Sequence, residues 1–90
     1  MKTQINTKIH HAAIELRNKV LDRLRVMKPL ETKVASIDSV RDFADILQVC
    51  QLILDGERVD VIESKFRGLD TVVRGAFPLS IFDKNGSFKG

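Results

Sequence analysis

The chain has 90 residues, 43% of them apolar and 30% charged, with a formal net charge of +3. A domain of this size buries only about two thirds of its unfolded surface, so its core is marginal and a second copy or permanent partner would strengthen it. One cysteine rules out an internal disulfide, and no apolar run approaches the roughly 20 residues needed to span a bilayer.

The mild positive charge permits an acidic partner or nucleic acid. It falls short of the concentrated basic face of a dedicated DNA-binding module. Trp and Tyr are absent and five Phe supply the aromatics, which argues against a base-stacking platform, although Phe also stacks. The N-terminal residues 1–8 lack the apolar stretch of a secretory signal, and the protein is read as cytoplasmic with no membrane association.

The first helix is expected from about residue 4 to Met27. Ile5, Ile9, Ala13, Leu16, Val20, Leu24 and Met27 recur at three- and four-residue steps and so share one face. Ile14 and Leu21 form a second strip about a third of a turn away, which implies a second neighbour. Glu15 and Lys19 stand at ion-pair spacing on the opposite arc. Pro29 ends the helix, because proline disfavours helical geometry in the residue before it. Residues 30–36 read as a connector.

The second helix is expected over 38–54. Ser39 is the favoured N-cap candidate, with Asp42 three residues on, and Asp55-Gly56 is the stop. Val40, Phe43, Ala44, Leu47, Cys50 and Leu54 are taken as its main stripe, and Ile46, Val49, Leu52 and Ile53 fill the rest. A helix apolar on nearly every side is surrounded by protein. Cys50, inside it, reads as a small buried hydrophobe.

The third helix is expected over 57–74 on the seam Val59, Ile62, Phe66, Leu69 and Val73. Gly68 in its middle marks either a close helix approach or an early end. From Phe77 to Gly90 the composition shifts to a tail, and Asn85-Gly86 is the dipeptide of tight hairpin turns, with short strands expected at 81–83 and 87–89. Such a hairpin is hardly stable alone, so Phe77, Phe82 and Phe88 either dock on the helices or stay loose until a partner arrives. The fold class is therefore all-α: a small three-helix bundle or helical hairpin with a long N-terminal helix over 1–76, and a tail over 77–90.

No constellation of side chains names a chemistry. His10 and His11 are adjacent on a helix and point about 100° apart, so they cannot share one ion, and no metal or cofactor is expected. The carboxylates Asp42, Asp45 and Asp60 fall opposite the apolar stripes and read as solvated surface. There is no phosphate-loop glycine spacing and no evident catalytic set. The chain is read as non-enzymatic.

The expected function is regulation by protein–protein binding, as an inhibitor or adaptor that occludes a partner's surface, in a homo-oligomer. Ile14, Leu21, Ile46, Val49 and Ile53 are the expected oligomer interface, and Phe77, Ile81, Phe82 and Phe88 the partner-binding tail. The alternative is a DNA-binding repressor-like protein. There, residues 46–54, a short turn and residues 57–74 act as a helix-turn-helix, with Arg25, Lys28, Arg58, Lys65 and Arg67 facing the duplex. Asp60, Glu63 and Asp70 on the same helix would repel phosphates.

Overall fold

The structure is a computed structural model that describes residues 7–89. Among the described residues, four helices and one two-stranded antiparallel sheet follow in the order α1 (Thr7–Val26), β1 (Leu30–Glu31), β2 (Ser36–Ile37), α2 (Val40–Leu54), α3 (Val59–Arg67) and α4 (Thr71–Arg74). The expected helical start at residues 4–6, with Ile5, lies outside the described residues.

Helix α1 buries Ile9, Ala13, Leu16 and Val20 of the expected stripe and partly covers Leu24, but it ends at Val26, and Met27, expected on the same face, is 92% exposed because it has left the helix. Its end is a Schellman motif: the Lys28 N–H donates to the Arg23 carbonyl at 3.0 Å and the Met27 N–H to the Leu24 carbonyl at 3.3 Å. That motif needs a left-handed residue, and here it is Met27, at φ 56°. The same motif closes α2, with Glu57 donating to Leu52 and Gly56 to Ile53, and there glycine takes the left-handed position at φ 72°.

The expected connector over 30–36 is in fact a miniature hairpin. Leu30 pairs with Ile37 and Glu31 with Ser36, and the apolar pair is buried. The Thr32 hydroxyl shapes the turn, accepting from the N–H groups of Val34 and Ala35 and donating to the Ala35 carbonyl at 2.6 Å. This closure brings the end of α1 beside the start of α2. Two helices that adjoin there and pack along each other run antiparallel, and α1 against α2 is the main helix contact of the fold.

Helix α2 begins two residues later than expected. Ser39 is its N-cap, yet the hydroxyl makes no capping hydrogen bond. The buried side is Phe43, Ile46, Val49, Cys50 and Ile53, whereas Val40 is 70% exposed, Ala44 is exposed, and Leu47 and Leu54 are only partly covered. The main stripe therefore lies roughly a quarter turn from the expected one. Both strips are apolar. The one with the larger Phe, Ile and Val side chains goes inside, because it removes more area from water than a strip interleaved with Ala44 and Gln51.

The third helix divides. Gly68 caps α3, and Asp70 starts α4 by accepting from the Val72 N–H at 3.2 Å. The early end that Gly68 left open is what occurs. Ile62, Phe66, Leu69 and Val73 remain buried across the break, while Val59 stays exposed.

The tail docks on the fold. Phe77, Ile81 and Phe82 are buried, with Phe82 stacked over Phe66 at 3.8 Å and Phe77 edge-on to both at 5.3 and 5.6 Å. The expected hairpin is reduced to a single bridge, Phe82 with Phe88. Asp83 builds its turn, its carboxylate accepting from the N–H groups of Asn85 and Ser87, both at 2.9 Å, with Gly86 at φ 85°. The Glu63 carboxylate accepts from the Phe88 N–H at 2.7 Å and pins the last turn to α3.

Candidate functional site

Of the five residues expected to form an oligomer interface, Ile46, Val49 and Ile53 are wholly inaccessible within the chain's own core. The neighbours that α2 required are α1, α3 and α4 of the same chain. A second copy cannot reach these side chains without opening the fold. Ile14 is half-buried and Leu21 is 47% exposed, so these two remain available. The tail residues follow the same pattern: Phe77, Ile81 and Phe82 are committed to the aromatic cluster, and Phe88 is partly covered. A role for the tail as a free docking peptide would require its release.

Ile14 and Leu21 belong to a larger surface that the sequence did not reveal. On α1, residues His10, Ile14, Arg17, Leu21 and Arg25 follow one another at four-, three-, four- and four-residue steps, on one flank of the helix. On α2, Val40, Ala44, Leu47, Gln51 and Leu54 do the same at four-, three-, four- and three-residue steps. The two helices pack on each other, and the Arg17 guanidinium of α1 acts electrostatically on the Cys50 thiol of α2. In an antiparallel pair, flanks set off in the same rotational sense from the two buried stripes fall on the same side of the pair. The result is a two-helix face with Leu21 and Val40 exposed and Leu47 and Leu54 partly covered.

Its chemistry is one-sided. The α1 strip carries Arg17, Arg25 and His10, and the α2 strip is uncharged up to its end, where the Gln51 amide donates to the Asp55 carboxylate at 2.8 Å. Arg25 is held by Asp22 at 2.8 Å. Arg17 is half-buried, and its Nε is enclosed without a hydrogen-bond partner. A buried donor left unpaired costs about 1–3 kcal/mol. Beneath it, burial pushes the Cys50 thiol up from 9.0 to about 12, with Arg17 pulling weakly the other way. Cys50 is thus a protonated packing residue rather than a nucleophile.

A groove of about 660 Å³ lies on the other side, between α2 and α3, lined by Arg41, Asp45, Asp60, Val61, Ser64, Lys65, Gly68 and Leu69. Its charges are of both signs and are partly occupied with one another: Asp60 takes a two-pronged contact from Arg58, at 3.1 and 2.8 Å. Among the described residues no group of three His, Cys, Asp or Glu is placed to hold a metal ion.

The basic residues of the helix-turn-helix reading are not drawn together. Arg58 is paired with Asp60, Lys65 lines the mixed-charge groove, and Arg67 lies against the tail turn, where a Cβ on Gly86 would meet its Nε at 3.3 Å. Arg25 and Lys28 stand at the end of α1, and Arg25 is tied to Asp22. No helix among the described residues is long and apolar enough to cross a membrane. Comparison of the chain with protein-family models, curated proteins and solved structures finds no match.

Proposed function

We propose that this chain is a small non-enzymatic regulator that acts by binding another protein through the back of the α1–α2 pair. The observation that carries the reading is the exposure of Leu21 on α1 and Val40 on α2, beside Ile14, Leu47 and Leu54, which are only partly covered. Apolar area shared between two helices and rimmed by polar groups is the usual form of a protein-binding groove. Regulation by occlusion suits a chain this small, since a two-helix face is large enough to cover a partner's surface.

Quantitative affinity purification from the producing cells, comparing the wild type with Leu21→Glu, tests this reading. Leu21 is half-exposed, so Leu21→Glu is expected to change thermal stability by less than about 1 kcal/mol while one or a few co-purifying proteins disappear. An identical set of proteins from both chains contradicts the reading. The DNA-binding alternative is tested on duplex DNA by fluorescence anisotropy at about 50 and 200 mM salt. Affinity that falls steeply between the two would bring it forward.

A further inference from the structure

We infer that Asn85, in the turn of the docked tail, is a site of spontaneous deamidation that the turn guards, so that its conversion to isoaspartate records opening of the tail and then keeps the tail open.

Asn85-Gly86 is the one Asn-Gly step in the chain, and Asn85 is exposed on the turn. The reaction needs only water. The Gly86 amide gives its proton to solvent, and its nitrogen forms a bond to Asn85 Cγ. The Cγ–Nδ2 bond breaks, and the leaving nitrogen takes a proton from water and departs as ammonia. Water then opens the resulting cyclic imide. Cleavage at Cγ gives Asp. Cleavage at the main-chain carbonyl gives isoaspartate, whose main chain runs through Cβ and Cγ and is longer by one carbon. A side chain on the following residue would crowd the attacking nitrogen, and glycine has none. The turn itself calls for that glycine, because it sets φ at 85°.

In the folded chain the geometry opposes the attack. The Gly86 N–H donates to the Asp83 carbonyl at 3.0 Å, and the Asn85 N–H to the Asp83 carboxylate at 2.9 Å. The first bond closes a four-residue turn, and neither Lys84 nor Asn85 has a positive φ. That combination is a type I turn, which holds Asn85 at a ψ of about 0°. The Gly86 nitrogen then lies over the nitrogen of Asn85 itself, turned away from Cγ, with its proton engaged. Gly86 is buried against Arg67. The turn is fastened to the rest of the fold in its turn, by Glu63 on the Phe88 N–H at 2.7 Å and by the stacking of Phe82 on Phe66. Reaction therefore waits for the tail to open. Isoaspartate formed in the open state puts an extra carbon between the two amides that Asp83 binds, and the turn can no longer close on both.

The test is the rate of deamidation at Asn85 in the full-length wild type, native and unfolded in guanidinium chloride, at about pH 8 and 37 °C. Peptide mass spectrometry reads the amide-to-acid mass increase. The native chain is expected to react at least about tenfold more slowly, because reaction through a local opening scales with the open population. Glu63→Ala, shown to be folded by circular dichroism, is expected to react several-fold faster than the native wild type. Glu63→Gln, whose amide oxygen still accepts from the Phe88 N–H, should be closer to wild type. The chain carrying isoaspartate at position 85, separated by ion exchange, is expected to melt below Asn85→Asp, which has the same charge on a normal main chain.

Equal rates in the native and unfolded wild type overturn the guarding role, whether or not any variant folds. A folded Glu63→Ala that reacts no faster than wild type overturns the link to tail opening. An isoaspartate chain that melts with Asn85→Asp overturns its hold on the open state. No isoaspartate at position 85 even in the unfolded chain overturns the inference outright.

Discussion

Met27 and Cys50 show how single residues carry strain and burial in this chain. Met27 holds the left-handed position of a Schellman motif, is 92% exposed, and gains nothing from packing that would offset its backbone cost. For a residue with a Cβ, that conformation costs roughly 1–2 kcal/mol. Met27→Gly is therefore expected to stabilise the chain by about 1 kcal/mol, raising Tm by some 4–8 °C in a thermal melt. Gly56→Ala, the reciprocal change at the end of α2, should lower it by a similar amount.

Cys50 gives a pH-dependent counterpart. Its thiol pKa is raised by burial from 9.0 to about 12. The folded chain keeps the proton while the unfolded thiol ionises, so the contribution is whole below about pH 9 and is lost as pH climbs toward 12, by up to about 1.4 kcal/mol per unit. Comparing wild type with Cys50→Ala in melts between pH 7.5 and 11 isolates this effect from lysine titration. The gap between the two chains should shift against the wild type as pH rises, and native Cys50 should resist thiol reagents at pH 8 until the chain unfolds.

The elements differ in how far their sequences reveal them. The buried stripe of α1 is legible because its apolar residues repeat on one face and polar residues fill the opposite arc. Helix α2 is legible as a helix but not in its orientation. With apolar residues on two flanks, the inside is decided by the shape of α1, α3 and α4, which local periodicity does not contain. The β1–β2 hairpin reads as a connector in sequence because two-residue strands lack any alternation, and its turn rests on the Thr32 hydroxyl rather than on glycine or proline. The tail shows the same limit. Asn85-Gly86 announces a turn, but only the ring of Phe66 on α3 explains why Phe77 and Phe82 turn inward. Truncating Phe82 to Ala should cost about 3–5 kcal/mol in a denaturant melt. Deleting residues 77–90 removes three buried side chains from a domain whose whole stability is of order 5–10 kcal/mol, and should abolish cooperative unfolding. A truncated chain that melts cooperatively would show that the tail is dispensable.

At the scale of the whole molecule, the core is one-sided. The chain spends its large apolar residues between the α1–α2 pair and the α3–α4–tail layer, and leaves Leu21, Leu47 and Val40 on the back of the pair. Ile14 and Leu21 were legible as a second strip, because seven-residue spacing survives on a single helix. In sequence the strip of α2 that completes the face is indistinguishable from core, so the candidate site is only half visible there.

Site-specific photo-crosslinking in the producing cells, from a photoreactive side chain introduced at position 21, 47 or 84, tests this account most directly. Positions 21 and 47 lie on the back face, and exposed Lys84 lies on the tail turn. The expected result is a crosslink from 21 and 47 to the same foreign protein, and none from 84. Crosslinks that arise only from 84, or that join only two copies of this chain, would contradict it.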